Sequence, residues 1–471
     1  MSHTPSEKEA SFDANVLPSD DKEAAQVSAI DAGEVFKANI DGEDGVKMRT
    51  TSWPAAFALM FKVQFSLGIL SIPAVMAPVG AVPGALLIIG WGAWNTWAAF
   101  IEGAFRNRHP GMHGIQDMMA LVCGAWGREI VGNLFFIGYV LVTGSGYIAG
   151  AVAFNALSEH GACTVWFAFV TFVFCTACAS FPRFSQIGVL CWVGVVSLYV
   201  AVFILVVAVG ARSRPAMAPA GDFDLGWFPV GKDISFLTGL SASTVIFISS
   251  SGHSANVPII AEMRNPKEYK KPIALTMTIL NVSYLVFGLV IYRYCGQYIA
   301  SPSLGSAGTL IKKICYGIGL PGILMSTTIN QHLACKYLFV RVLRNSEHLQ
   351  RKTKTHWVTW FGICIGVGVA GFVIAEAIPF FGTLLSFVSA ISFTPLAIIV
   401  PAILWLFDFQ RPYMRGSVAQ KLFVLMHYLM ILIGAFQVVG GAYSAIQSII
   451  DQYAAGTVSS AFTCADNSNS S

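Results

Sequence analysis

Residues 247–258 read Phe247-Ile248-Ser249-Ser250-Ser251-Gly252-His253-Ser254-Ala255-Asn256-Val257-Pro258, a polar patch inside an otherwise apolar segment. An earlier apolar segment is interrupted in the same way at Ser66-Leu67-Gly68 and followed by Pro73. A membrane helix that breaks at mid-depth leaves backbone groups unpaired, and hydrocarbon penalises each by several kcal/mol. Such a break therefore faces a buried polar cavity. Two breaks at corresponding places in two halves of a chain predict a substrate site between inverted repeats, as in secondary transporters.

The composition is that of a membrane protein. Of the 471 residues, 55% are hydrophobic and only 11% are charged, so most of the chain cannot form a water-exposed globular surface. A helix that crosses a core of ~30 Å needs ~20 apolar residues. The pattern predicts an all-α polytopic fold with about eleven transmembrane helices, at 54–78, 82–105, 129–157, 163–180, 185–210, 237–262, 272–295, 317–343, 356–376, 379–407 and 420–449.

The spans divide the chain into two halves of five, with one span left over. A Pro-, Ala- and Gly-rich stretch separates spans five and six. We therefore predict a first repeat at 50–210, an extracellular linker at 211–236, a second repeat at 237–410, and an eleventh helix with a short extracellular C-terminus at 411–471. A short amphipathic stretch from Ile115 to Trp126 predicts an interfacial helix.

Loop charge predicts the orientation. With the N-terminus in the cytoplasm, the inner loops hold roughly three times as many Lys and Arg residues as the outer loops. Residues 1–49 carry eleven acidic and five basic side chains, a composition that favours a disordered cytoplasmic tail. Its lysines are candidate sites for ubiquitin or the trafficking machinery. An odd number of spans places the C-terminus outside, where Asn469 begins a glycosylation sequon.

The ten cysteines do not indicate a metal site, because most lie within spans and are typical of small apolar filling residues. Of the cysteines near the outer, oxidising face, Cys163, Cys295 and Cys315 are candidates for one disulfide bond. The expected pairing is Cys163 with Cys295 or with Cys315. We expect the protein to contact the lipid bilayer and to bind no cofactor, metal or nucleic acid.

Span one carries the first group of candidate site residues. Thr51 or Ser52 is a candidate helix cap and Pro54 suits the first turn. Gly68 and Pro73 favour a break, although a kink is the alternative. The half-helix that begins near Ile69 would direct its free N–H groups toward a substrate carboxylate. The candidate substrate-binding residues here are Ser66, Leu67, Gly68 and Ile69.

Lys62 lies in the cytoplasmic half of the same span, where a buried lysine costs on the order of 2.5–3.5 kcal/mol on insertion scales. We predict that its ammonium takes the place of a symported cation or exchanges a proton, the alternative being a side chain that extends to the headgroups. Span eight supplies candidate partners for Lys62 in this coupling site, namely Thr327, Thr328 and Asn330.

Span six supplies the second group. The hydroxyls and carbonyls of Ser249, Ser250, Ser251 and Gly252 are candidates to hold a substrate ammonium group. His253 either lines the cavity and titrates or is a neutral structural residue. Glu262, near the inner end, is a candidate gate residue that pairs with a basic residue of an inner loop. In span three, the Tyr147 hydroxyl is a candidate to reach the substrate carboxylate, with a structural hydrogen bond as the alternative.

The segments Lys62–Pro73 and His253–Pro266 resemble the amino acid/auxin permease family, and within it the fungal permeases for neutral amino acids. The resemblance rests on GILSIP in span one, GHSANVPIIAEMRNP in span six and the polar tail before eleven spans, and it covers about Arg49 to Ile450. It implies a LeuT-like 5+5 inverted repeat in which helices one and six unwind around an amino acid, usually with proton coupling in fungi. Sodium-coupled relatives have an asparagine near the position of Lys62, so the lysine argues against sodium.

These features predict a transporter and not an enzyme. The interrupted segments contain no acidic residue beside the predicted pocket to pair with a cationic substrate side chain, and no spare arginine to pair with an anionic one. Together with the resemblance, this makes neutral aliphatic and aromatic L-amino acids the expected substrates, imported with protons by alternating access at the plasma membrane. A non-transporting amino-acid sensor and a vacuolar exporter are the alternatives. An intramembrane enzyme built on His253 is disfavoured, because no nucleophile–base pair accompanies it.

Overall fold

The computed structural model describes residues 49–65, 67–232, 234–344, 346–349, 351–378, 381–454 and 462–467. Ser66, the sequon at Asn469 and all of the predicted tail except Arg49 lie outside these residues. In the described residues the fold is helical: α1 Trp53–Gln64, α2 Leu67–Val79, α3 Ala81–Arg108, α4 Ile115–Ser158, α5 Thr164–Ala179, α6 Phe184–Gly210, α7 Phe236–Ser250, α8 Asn256–Ala261, α9 Lys270–Cys295, α10 Thr309–Leu343, α11 Lys354–Ala377, α12 Phe381–Val388, α13 Val400–Met414 and α14 Val418–Ala454.

The prediction of an all-helical, multi-span membrane protein is confirmed. Among the described residues, seven helices are long and apolar enough to cross a membrane, or eight if the bent pair Phe381–Phe393 and Pro395–Met414 counts as one span. Helices also lie at the other predicted spans, but α5 and α7 have only 16 and 15 residues, and α10 contains the polar stretch Ser326–His332. The count of eleven and the inverted repeat therefore stay predictions.

Local sequence explains where these helices begin. The Ser52 hydroxyl accepts a hydrogen bond from the Ala55 N–H and a proline occupies the first turn of α1, as predicted. Ser235 caps α7 in the same way. Helix α4 bends at Gly124, whose φ of 68° is favourable only for a residue without a side chain. This bend separates the predicted amphipathic segment from the long apolar part of α4.

The two interrupted segments lie next to each other inside the bundle. Helix α2 packs on α7, and α1 packs between α6 and α9. Helix α10 packs against α4, α5, α6 and α11, which buries its polar stretch. Polar side chains in such a position contact other protein groups and not lipid, which is the arrangement expected for functional residues of membrane proteins.

The C-terminal segment corrects the predicted disulfide. Cys163 is bonded to Cys464, while Cys295 and Cys315 are free and buried. Residues 462–467 fold back over the start of α5, where the Thr164 hydroxyl donates to the Ala465 carbonyl at 2.7 Å. The pairing with Cys295 or Cys315 was wrong because it assumed that the partner came from a loop between spans.

Candidate functional site

The first predicted break is present in the structure. Helix α1 ends at Gln64 and α2 begins at Leu67, with Phe65 at the non-helical angles φ −82° and ψ 81°. Ser66 lies outside the described residues, and only the backbone of Leu67 is described. The break leaves carbonyls of the last turn of α1 without helical partners, so other groups must satisfy them.

The second break is also present, and it is longer. Helix α7 ends at Ser250, a 3₁₀ turn covers Gly252–Ala255, and the short helix α8 follows. The four residues of this turn, including His253, are fully buried or nearly so. Both breaks therefore lie inside the protein, where unpaired backbone groups are tolerated only if protein groups or water satisfy them.

Three buried side chains hold the carbonyl groups at the breaks. The Tyr284 hydroxyl of α9 lies 2.6 Å from the Gln64 carbonyl oxygen and 2.9 Å from that of Ser249, so it joins the two breaks. The Tyr139 hydroxyl of α4 donates to the Gly252 carbonyl at 3.3 Å. The Lys62 ammonium, fully buried, lies 3.5 Å from the Phe65 carbonyl oxygen. These contacts stabilise the breaks in their present geometry.

A cavity of about 40 Å³ lies between the two breaks. On the same measure one water molecule needs ~10–15 Å³, so this space holds only a few waters and must widen to admit a large substrate. Its lining comes from six helices and two irregular turns: Val63, Gln64, Gly68, Tyr139, Val142, Ile248, Ser249, Gly252, Asn330, Leu385 and Phe393. No charged side chain is among these described residues.

The wall of the cavity depends on a glycine. A Cβ added at Gly68 would lie 2.6 Å from the Ser249 Cβ and 2.8 Å from its Cα. Atoms cannot approach so closely, and the Ser249 backbone cannot move without displacing α7. Only glycine therefore allows α2 and α7 to meet beside the cavity.

The side of the bundle on which α1 begins is closed by contacts between the ends of the interrupted segments. The Thr51 N–H donates to the Glu262 carbonyl at 3.1 Å, and the Arg264 N–H donates to the Thr51 carbonyl at 2.8 Å. The Glu262 carboxylate lies 2.7 Å from the Lys336 ammonium, and both side chains are almost completely buried. The predicted ion pair of Glu262 is present, but its partner belongs to helix α10 and not to an inner loop.

A sequence model of the family described as "Transmembrane amino acid transporter protein" matches residues 49–447, which include both breaks and every helix that lines the cavity. The chain belongs to this transmembrane amino acid transporter family. The protein is thus an integral, multi-pass membrane protein of a transporter family and not an enzyme, and amino acids are the substrates of the family. The predicted resemblance to the amino acid/auxin permeases is confirmed.

Curated relatives agree with this assignment over nearly their whole length. The chain is 41% identical to a "Transmembrane transporter" of Gibberella moniliformis, over 99% of this chain and 97% of the relative. It is 43% identical to a protein of the same description from Fusarium pseudograminearum, over 94% and 93% of the two chains. It is 29% identical to the "N amino acid transport system protein" of Neurospora crassa, over 95% of both chains.

The structure separates the predicted residues of spans one, six and eight into two groups. Gly68, Ser249, Gly252 and Asn330 line the cavity. Ile69, Ser250, Ser251 and His253 are buried close to it in the chain but are not among its lining residues. The Ser250 hydroxyl instead accepts a hydrogen bond from the Asn95 amide at 2.8 Å. These four residues are therefore buried near the breaks without lining the cavity.

Tyr147 is not a cavity residue. Its hydroxyl donates to the Gln331 side-chain oxygen at 2.9 Å, in a buried network between α4 and α10 that includes Thr176. The tyrosine that faces the cavity is Tyr139, two helical turns earlier on α4. The structural alternative for Tyr147 thus describes its contacts, and Tyr139 is the tyrosine of α4 that lines the cavity.

Lys62 has different partners from those predicted. Its ammonium lies 3.3 Å from the Gly194 carbonyl of α6, in addition to the Phe65 carbonyl. Thr327 packs on Gly146 of α4, and Thr328 lies beside the Cys175 thiol of α5. The predicted grouping of Lys62 with Thr327 and Thr328 does not match these contacts. Full burial also contradicts the alternative in which Lys62 extends to the headgroups.

Sequence reasoning missed two polar groups near the breaks. The Gln64 amide lines the cavity, and neither its oxygen nor its nitrogen has a hydrogen-bond partner among the described residues. Glu102 of α3 is fully buried, with its Oε2 3.0 Å from the His253 Nδ1. A lone acidic residue in an apolar span was the available signal for Glu102. For Gln64, the signal was a polar residue one turn before a glycine.

Proposed function

We propose that this protein is a secondary active transporter that imports neutral aliphatic and aromatic L-amino acids by proton symport and alternating access. The observation that carries the proposal is the cavity between the two helix breaks, where the described lining residues offer polar backbone and amide groups and include no charged side chain. Cavities at broken helices are the substrate sites of secondary transporters.

The polar groups match the two ends of an amino acid. We propose that the start of α2 near Gly68 binds the carboxylate, because the first N–H groups of a helix and its dipole favour an anion. The Gln64 and Asn330 amides and the carbonyls near Ser249 are available to the ammonium group. In this arrangement the substrate supplies the hydrogen bonds that the Gln64 amide lacks.

The remaining lining is apolar and supports a preference for neutral side chains. Val63, Val142, Ile248, Leu385 and Phe393 surround the rest of the space. A cationic or anionic substrate side chain would lose its hydration there without gaining an opposite charge, which is costly in a low-dielectric site. Aliphatic and aromatic side chains gain hydrophobic stabilisation from the same surface.

We further propose that Lys62 takes the place of a symported metal cation. Its ammonium contacts carbonyls of α1 and α6, and carbonyl oxygens are also the ligands that bind Na⁺ next to unwound membrane helices. A permanent ammonium in this position removes the need for sodium. The proton gradient is then the driving force. One proton that crosses 100 mV releases ~2.3 kcal/mol, enough for more than a tenfold substrate gradient.

The proposed architecture is a LeuT-like repeat of five plus five helices with an eleventh helix, the N-terminus in the cytoplasm and the C-terminus outside the plasma membrane. In this orientation the contacts of Thr51, Glu262 and Lys336 close the cytoplasmic side. A larger cavity of about 370 Å³ between α2, α7 and α14 lies on the opposite side and is proposed as the route of substrate entry.

Uptake by proteoliposomes that contain the purified full chain tests the function. Labelled leucine and phenylalanine are offered under an acid-outside gradient, a sodium gradient or no gradient, with unlabelled lysine and glutamate as competitors. The proposal predicts accumulation with the proton gradient only, and no competition by the two charged amino acids. Saturable binding without flux under any gradient contradicts transport and favours a sensor.

A further inference from the structure

Helix α3 carries a carboxyl group that no part of the substrate cavity uses. Glu102 and His253 are both fully buried, and the carboxylate Oε2 lies 3.0 Å from the imidazole Nδ1. Glu102 belongs to the apolar helix Ala81–Arg108, one of the helices long enough to cross the membrane. Ionisable residues in such helices are expensive and are usually functional.

The pair connects an unbroken helix with a broken one. His253 lies in the 3₁₀ turn between α7 and α8, next to Gly252, whose carbonyl accepts the Tyr139 hydrogen bond at the cavity. Glu102 is on α3, which continues without a break from Ala81 to Arg108. Any movement of the second break relative to α3 therefore changes the distance between the carboxylate and the imidazole.

The pair also has room for a proton. Both carboxylate oxygens of Glu102 and both ring nitrogens of His253 are buried, and none of the four has a formed hydrogen bond among the described residues, although Oε2 and Nδ1 lie 3.0 Å apart. One shared proton between a carboxylate and an imidazole gives either a neutral pair or an ion pair with no net charge. The proton that moves is this shared one: when it is taken up, a bond forms from it to a carboxylate oxygen or an imidazole nitrogen of the pair, and when it is released to water the same bond breaks.

Few other charged groups lie close to this pair. Of the described elements packed on the 3₁₀ turn, α7, α8 and residues 395–399 contain no charged residue, and α1 contains only Lys62. Tyr139 faces Glu102 and Ser254 from α4, and Tyr269 packs on α3 at Gly103. Along α3, Arg106 donates to Asn107 and Arg108 pairs with Asp408 of α13. Among the described residues of these elements, the closest ionisable group to Glu102 is thus His253.

We propose that Glu102 and His253 form the site that binds the co-transported proton, and that Lys62 does not carry it. This inference rests on the proposed proton symport. When the second break moves, the carboxylate and the imidazole separate, and the proton held between them is released to the side that has opened. Substrate in the neighbouring cavity contacts Gly252 and so favours one geometry of the break, which couples the two movements.

The test uses two transport modes of the full-length protein in proteoliposomes. Accumulation of labelled leucine under an acid-outside gradient requires net proton movement, whereas exchange of internal for external leucine does not. The variants are Glu102→Gln, which keeps the shape and removes the ionisable carboxyl, Glu102→Asp, which keeps the carboxyl, and His253→Gln. Glu376→Gln is the matched control, because it removes a mostly buried carboxyl from α11, away from both breaks.

With a gradient of two pH units, one proton per leucine supports roughly hundredfold accumulation in the wild-type protein, since each unit is a factor of ten. We expect Glu102→Gln and His253→Gln to lower the accumulation ratio to about one while exchange continues. Glu102→Asp should restore accumulation in part, with a shifted pH dependence. Glu376→Gln should accumulate leucine like the wild type.

The other possible results contradict either the proposed proton site or the proposed function. If Glu102→Gln and His253→Gln accumulate leucine like the wild type, the pair does not carry the proton. If folded Glu102→Gln loses exchange as well, the role of the pair is structural and the inference is overturned. If Glu102→Gln does not fold, His253→Gln alone decides by the same two measurements. A wild-type protein without proton-driven accumulation instead contradicts the proposed function.

Discussion

Replacement of Lys336 by methionine tests the buried ion pair that closes one side of the bundle. The Lys336 ammonium lies 2.7 Å from Glu262 Oε1 and donates to the Pro182 carbonyl, also at 2.7 Å. Glu262 Oε2 accepts only a long bond, 3.4 Å, from the Phe184 N–H. Methionine has a similar length but no charge, so Lys336→Met leaves a buried carboxylate with weak compensation.

The expected loss follows from the choices open to that carboxylate. Removal of one partner of a buried pair costs about 3–5 kcal/mol. Glu262 limits the cost by taking up a proton, which for an ordinary glutamic acid requires about 3.7 kcal/mol at pH 7 and about 1 kcal/mol at pH 5. The lost bond to Pro182 adds about 1 kcal/mol at either pH. We therefore expect the free energy of unfolding to fall by roughly 5 kcal/mol at pH 7 and 2 kcal/mol at pH 5.

The pH dependence has a definite sign. In Lys336→Met the folded protein holds Glu262 protonated at pH 7, while the unfolded chain exposes it as a carboxylate. The folded state then binds more protons, so the variant loses stability as the pH rises. The wild-type protein, with its paired carboxylate, should not show this additional loss.

Denaturant titration of the purified protein in detergent micelles at both pH values measures the effect. Lys271→Met is the matched control, because the Lys271–Glu268 pair also has a 2.7 Å distance but is largely exposed. Removing it should cost less than about 0.5 kcal/mol. The reasoning is refuted if Lys336→Met is as stable as Lys271→Met, or if its deficit is the same at pH 5 and pH 7.

Three further outcomes are expected. Lys62→Met should lose accumulation and exchange alike, because the Phe65 carbonyl at the first break and the Gly194 carbonyl of α6 lose the cation that joins them; retained exchange would contradict this. Tyr139→Phe should raise KM for leucine about fivefold, because the hydrogen bond to the Gly252 carbonyl, worth ~1 kcal/mol, is lost. Tyr147→Phe should not change KM, because Tyr147 contacts Gln331 outside the cavity. A membrane-impermeant reductant followed by an impermeant maleimide should label Cys464 on intact cells, because the proposed orientation places its disulfide outside. The exposed Cys123 should be labelled only after the cells are permeabilised. The reverse pattern would contradict the proposed orientation.

The sequence predicted the two breaks because their signal is local. Polar residues and a glycine in an apolar segment are costly unless they face a cavity, so Gly68 and Ser249–Gly252 were identified without knowledge of the neighbouring helices. The family resemblance rested on the same segments and was confirmed over residues 49–447. What these residues contact could not be read from the pattern.

The errors concern contacts between distant segments. Tyr139 and Tyr147 lie on one helix, and only the rotation of α4 against α7 and α10 decides which of them reaches the cavity. The partner of Cys163 is 301 residues away, in a segment that returns to α5 after the last helix. No spacing rule predicts such a contact.

Glu102 was a different kind of omission. A single acidic residue near the end of an apolar span looks like a boundary residue, since helix ends carry charge next to the headgroups. The structure instead buries it against His253. The pairing required knowledge that the second break lies beside α3, which the sequence alone does not contain.

Equilibrium binding of labelled phenylalanine to the purified protein tests most directly whether the space between the breaks is the substrate site. The comparison is between wild type, Gly68→Ala, whose added Cβ would lie 2.6 Å from the Ser249 Cβ, and Gly362→Ala, whose Cβ would have no neighbour within 4 Å. We predict saturable binding by the wild type and by Gly362→Ala, and none by folded Gly68→Ala. Unchanged phenylalanine affinity in Gly68→Ala would contradict the placement of the substrate between the two helix breaks.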